Sequence, residues 1–81
     1  MSTTITTITT VDARGQSCPG PLVSLARAFK GASAGATFEL LATDPGSRSD
    51  VPSWAELSRN ELVSAESLDD GSFRYVVRKV A

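Results

Sequence analysis

ITTVDARGQSCPGPLVSLARAFK, from Ile8 to Lys30, decides the fold, because it reads as a strand, a turn and a helix in immediate succession. The expected strand covers Ile8 to Ala13, and Arg14-Gly15-Gln16-Ser17 makes the turn after it. Leu22, Leu25, Ala26 and Phe29 then follow the i, i+3, i+4, i+7 spacing of a single buried helix face. Arg27 and Lys30 occupy the second half of that helix, where cations suit the C-terminal dipole. Gly31 and Gly35 end it.

Inside this unit, Ser17-Cys18-Pro19-Gly20-Pro21-Leu22 is the chemically informative piece. Two prolines in three residues would break a helix interior, but a first turn tolerates them because its N–H groups have no intrahelical acceptor. The simplest geometry makes Cys18 the N-cap, Pro19 N1, Gly20 N2 and Pro21 N3. The sulfur then faces the positive end of the helix dipole, a setting that lowers a thiol pKa. The dipole contributes roughly 0.3–1 kcal/mol, so a thiol pKa of about 8.5 falls by about one unit at most. Pro21 has no N–H to offer, which leaves the Gly20 N–H as the expected local donor to sulfur.

Beyond Lys30, Thr37 to Thr43 reads as a second strand, and the run Leu40-Leu41-Ala42 suggests burial on both faces. Asp44-Pro45-Gly46 is a turn signal. A second helix follows to Ser58, with Val51, Trp54 and Ala55 on one side. Pro52 leaves two starts open: Ser47 with a distorted first turn, or Asp50 as the cap. Glu61 to Leu68 and Ser72 to Val80 flank Asp69-Asp70-Gly71 and predict a hairpin. The order is β-α-β-α-β-β, and its economical solution is an α/β (α+β) two-layer sandwich: a four-stranded sheet with two helices on one face. Residues 1–7 are expected to be a flexible tail, and residues 8–81 a single domain.

The chain has 81 residues, 41% hydrophobic and 21% charged, with a net charge of −1. That balance describes a folded module and argues against a general nucleic-acid binder, which is usually strongly basic. No apolar stretch suits a membrane span, and the N-terminus lacks the features of a signal peptide. One cysteine forms no internal disulfide and fits a reducing, cytoplasmic setting. Histidine is absent, so a Cys–His pair within the chain is excluded. A zinc site would need more ligands than one thiol supplies, and no metal or cofactor is expected. A dithiol motif fails too, since Pro21 stands three residues after Cys18. A lone thiol that works repeatedly must therefore exchange its load with a thiol on another protein.

The stretch Val11 to Leu22 resembles the signature of the TusA/SirA-like sulfur-carrier family, Cys-Pro-x-Pro after a strand bearing an Asp-x-Arg-Gly-like sequence. A second block, Ala42 to Trp54, is similar to the family's Asp-Pro … Asp-Ile/Val-Pro-x-Trp segment. The likeness spans roughly residues 10 to 80. It implies a two-layer sandwich related to the C-terminal domain of translation initiation factor 3, and a sulfurtransferase activity exerted by transpersulfidation with partner proteins. A cysteine desulfurase or rhodanese-like donor would load Cys18, and an acceptor protein would take the sulfur for tRNA thiolation, molybdenum-cofactor maturation or sulfur metabolism. By the same likeness Cys18 is the sulfur-carrying residue. Asp12, Arg14, Gly15, Pro19 and Pro21 would shape its loop, with Gly20 between the two prolines. Asp44, Pro45, Asp50, Pro52 and Trp54 belong to the second motif. Relatives with another cysteine after that tryptophan differ from this chain, which has Ala55 there.

Several roles stay open on sequence alone. Arg14 either steadies a persulfide anion or pairs with Asp12. Arg27, Lys30 and Arg48 either dock an acidic partner or form solvated surface. Asp44 and Asp50 are catalytic carboxylates or, more cheaply, turn and cap residues. Trp54 belongs to the core or serves as a ligand platform. The competing function is a non-catalytic regulatory or binding module in which Cys18 is dispensable.

Overall fold

Ile8–Ala13 forms the edge strand β1, with Val11 and Ala13 turned toward the core and Thr10 and Asp12 toward solvent. The computed structural model describes residues 8–17 and 19–80. The expected tail, residues 1–7, lies outside the described residues, as does Cys18. The remaining elements are α1 (Gly20–Lys30), β2 (Thr37–Ala42), α2 (Ser47–Leu57), β3 (Glu61–Ser67) and β4 (Phe73–Arg78).

The sheet order is β1-β2-β4-β3, with β1 parallel to β2 and the other two pairings antiparallel. The parallel pair requires a crossover, which α1 supplies. Register places Val11 beside Leu40, Leu40 beside Tyr75, and Leu62 beside Val77. These residues share the face that the helices cover. Leu25, Phe29, Leu40, Val51 and Val77 fill the core, and Trp54 meets the Phe29 ring edge-on at 5.1 Å. Trp54 is therefore a core residue at the helix–helix seam.

β2 departs from the expected two-sided burial: Phe38, Leu40 and Ala42 are buried, while Thr37, Glu39 and Leu41 are half-exposed. Among the described residues, no second layer covers that face. A polar network spans it instead, in which Arg74 bonds both Glu39 and Glu66, and Thr10 donates to Glu39 (2.9 Å). The α1 stripe also shifts. Pro21, Leu25 and Phe29 are buried at successive four-residue steps, and Ala26 is exposed.

α2 starts at Ser47 with Pro52 inside it. The first turn is tightened: Ser47, Arg48 and Ser49 donate to carbonyls three residues back, and Asp50 to the Gly46 carbonyl four back. Asp50 thus sits in the first turn, and Gly46 takes the N-cap position. Between β3 and β4, Gly71 adopts φ 87°, the left-handed position of a three-residue hairpin loop. A bulge between Leu62 and Ser64 leaves Val63 exposed on the β3 edge.

Candidate functional site: the β1–α1 loop and its walls

The loop leaves β1 at Ala13 and is held from both sides. The Asp12 carboxylate accepts from the Arg14 backbone N–H (3.1 Å) and, in a two-pronged pair, from Nε (2.9 Å) and Nη2 (2.8 Å). This settles the open role of Arg14 toward pairing with Asp12. The Arg14 bonds pull the Asp12 carboxyl down to about 2, and the Asp12 bonds raise the guanidinium in turn. Gly15, at φ 83°, lets the chain reverse where a side chain would be strained. Its N–H donates to Thr43 Oγ1 (2.9 Å), which ties the loop to the end of β2.

The helix begins one residue later than the sequence suggests. Pro19 is the N-cap, at φ −94° and ψ 19°, and its carbonyl accepts the first helical bond from Val23 N–H (2.9 Å). Gly20 is N1 and Pro21 N2, so the first proline closes the preceding turn. The Gly20 N–H, expected to face sulfur, donates to the Ser17 carbonyl at 2.7 Å. That bond brackets position 18. The Gln16 side chain folds over the helix start, 3.0 Å from where a Gly20 Cβ would stand, and Ser24 Oγ donates to its Oε1 (3.2 Å). A Cβ at position 20 would press on this side chain, which would have to shift by a few tenths of an ångström.

The second motif forms the neighbouring wall. Pro21 and Leu22 of α1 face Asp44, Ser47, Asp50 and Val51 across a narrow seam. Asp44 Oδ2 accepts from Gly46 N–H (3.1 Å), which makes Asp44 a turn residue. Pro45 is exposed in that turn, and Pro52 is half-buried on α2. Buried Ser47 donates to the Asp44 carbonyl (2.8 Å) and meets buried Tyr75 Oη at 2.8 Å. A serine hydroxyl has one proton, so the tyrosine is the donor in the second bond. Sequence reasoning passed over Thr43, Ser47 and Tyr75; their partners lie 28 residues away and leave no local pattern.

The three cations singled out for docking do not form one surface. Arg48 lies in the first turn of α2, near the thiol loop, while Arg27 and Lys30 lie in the last turn of α1. Among the described residues, no cluster of three or more His, Cys, Asp or Glu side chains is arranged to hold a metal. Among the described residues, no helix is long and apolar enough to cross a membrane.

A βαβαββ sandwich whose sequence sets a lone cysteine directly before the Pro19-Gly20-Pro21 start of α1 defines a class of small sulfur-handling proteins. The profile of the family described as "Sulfurtransferase TusA" matches residues 9–79. The chain is 35% identical over 71 residues to the sulfur carrier protein TusA of Pseudomonas putida, covering 88% of each. It is 38% identical over 69 residues to TusA of Pseudomonas syringae, covering 85% of this chain and 81% of that one. A SirA-like protein from Desulfitobacterium hafniense superposes with a TM-score of 0.79 at 25% identity, over 93% of this chain and all of that one. The chain belongs to the TusA sulfur-carrier family.

Proposed function

We propose that the chain holds sulfur as a persulfide on Cys18 and relays it from a donor enzyme to an acceptor protein in the cytoplasm. The family match across residues 9–79, in a chain with one cysteine, is the observation that carries this reading. Loading proceeds when the Cys18 thiolate attacks the outer sulfur of a persulfide on a desulfurase or rhodanese-like donor. The donor's S–S bond breaks as the Cys18 S–S bond forms, and the donor cysteine leaves as a thiolate. Delivery repeats the exchange with an acceptor thiolate, and Cys18 is regenerated. No net oxidant or reductant is consumed.

The surroundings suit a carrier. Cys18 follows the exposed residues Gln16 and Ser17 and precedes exposed Pro19. The sole backbone donor expected nearby is committed to Ser17. Arg14 is neutralised by Asp12. A persulfide there would be weakly held and readily passed on.

Incubation with a cysteine desulfurase and L-cysteine should raise the protein mass by one sulfur atom. The increment should disappear with reductant and be absent from Cys18→Ser. If wild-type mass stays unchanged with a competent donor, the carrier reading fails. Full complementation by Cys18→Ser would point instead to a binding module.

A further inference from the structure

The thiol loop shares its end of the sheet with the close of β2, the first turn of α2 and the β3–β4 turn. Two arginines near that end have carboxylate partners: Arg14 is held by Asp12, and Arg74 by Glu39 and Glu66. Arg48 differs. It makes no ion pair among the described residues, and its guanidinium lies over the Phe73 ring, 5.6 Å from the centroid. Beside it runs a groove of about 170 Å³, lined by Arg48, Ala65, Glu66, Ser67, Phe73 and Tyr75. An exposed arginine over an aromatic ring is among the residue combinations in which protein–protein binding energy concentrates.

We infer that the Arg48–Phe73 groove receives a carboxylate-bearing segment of the protein that exchanges sulfur with Cys18. The inference rests on the persulfide-carrier reading and names the chemistry of its partner. The stacked guanidinium keeps its hydrogen-bonding edge available for a two-pronged carboxylate contact. Glu66 lines the same groove, and its Oε1 is engaged by Arg74 Nη1 at 2.9 Å, which offsets part of its charge. Ser47 links the groove to the loop, bonded to Tyr75 on one side and facing Pro21 and Leu22 on the other. A partner seated on Arg48 therefore approaches beside the α1 start. Asp69 and Asp70, in the adjacent turn, oppose this preference by repelling the same carboxylate.

The test uses cysteine peptides activated as pyridyl disulfides, each with a Gly-Ser spacer ending in Glu-Glu, Gln-Gln or Lys-Lys. The Cys18 thiolate displaces pyridine-2-thione, whose absorbance gives the rate. The Glu-Glu peptide should react about threefold to tenfold faster than the Gln-Gln peptide at low salt. Arg48→Gln should remove that ratio without changing the iodoacetamide rate, and Phe73→Leu should reduce it. Equal rates, a fastest Lys-Lys peptide, or a ratio that survives Arg48→Gln each overturn the assignment while leaving the carrier reading intact. A Cys18 inert to iodoacetamide as well would overturn the carrier reading itself.

Discussion

The two helices are pinned at opposite ends. α2 is fixed where it starts: Ser47 is buried and bonded to Tyr75 and the Asp44 carbonyl, beside the thiol loop. α1 is fixed where it stops. Lys79 Nζ donates to the Phe29 carbonyl (2.8 Å) in the last turn and to the Ala32 carbonyl (2.6 Å) just beyond it, a place where a cation suits the helix dipole. Among the described residues the α1 start has no side-chain cap, and the Gly20 bond to Ser17 and the overlying Gln16 hold it. One helix thus provides a fixed wall, and the other presents its least restrained turn to the chemistry. That division suits a carrier, which must let different partners reach one sulfur atom.

The largest expected effect comes from removing the α2 pin. Ser47→Ala removes little more than the hydroxyl oxygen and leaves the buried Tyr75 hydroxyl without its acceptor, a loss of about 2–3 kcal/mol. Urea denaturation should show a lower midpoint at unchanged slope, and amide exchange should quicken in residues 44–50. Tyr75→Phe removes the donor too and should cost about 1 kcal/mol. If Ser47→Ala were no worse than Tyr75→Phe, the buried hydroxyl would not be what fixes the wall. A smaller effect should follow Lys79→Met, which keeps the apolar stem and loses the ammonium: about 1–2 kcal/mol, with faster exchange in the last turn of α1. Faster exchange spread evenly along α1 would mean that Lys79 is no local pin.

Much of this frame was legible because its signals are local. The strand–turn–helix order, the Asp69-Asp70-Gly71 hairpin and the burial of Val51 and Ala55 each follow from periodicity or turn chemistry within a few residues. The start of α1 was legible only to within one position. A pair of prolines marks a first turn, but either proline can stand at the boundary, and the Ser17–Gly20 bond decides which. The uncovered face of β2 was hidden for a different reason. An apolar triplet signals burial, while what covers Leu41 depends on whether a second layer exists. The Lys79 pin spans 50 residues and the Ser47–Tyr75 bond spans 28, so both are products of topology. Arg14 was a two-way choice because its partner, two residues away, was visible while the geometry was not.

The smallest effect sharpens the comparison at the loose end. Asp12 is fully exposed, so its pair with Arg14 should shape the loop and contribute little to global stability. Its folded pKa is depressed from the ordinary 3.8 to about 2, mainly by the Arg14 side-chain bond. A depressed carboxyl contributes order above its unfolded value and loses it as pH falls through the folded one. The loop should accordingly be intact above about pH 4 and loosen progressively toward about pH 2. An NMR titration of the Asp12 carboxyl should place its midpoint near about 2, with the Arg14 amide signal moving in step. In Asp12→Asn the Arg14 signal should lose that step, while the amides of Ser47 and Val51 follow the same course in both proteins. A normal Asp12 midpoint would remove the ion pair from the loop, and an acid response in the α2 turn matching that of Arg14 would erase the contrast between fixed wall and free helix start.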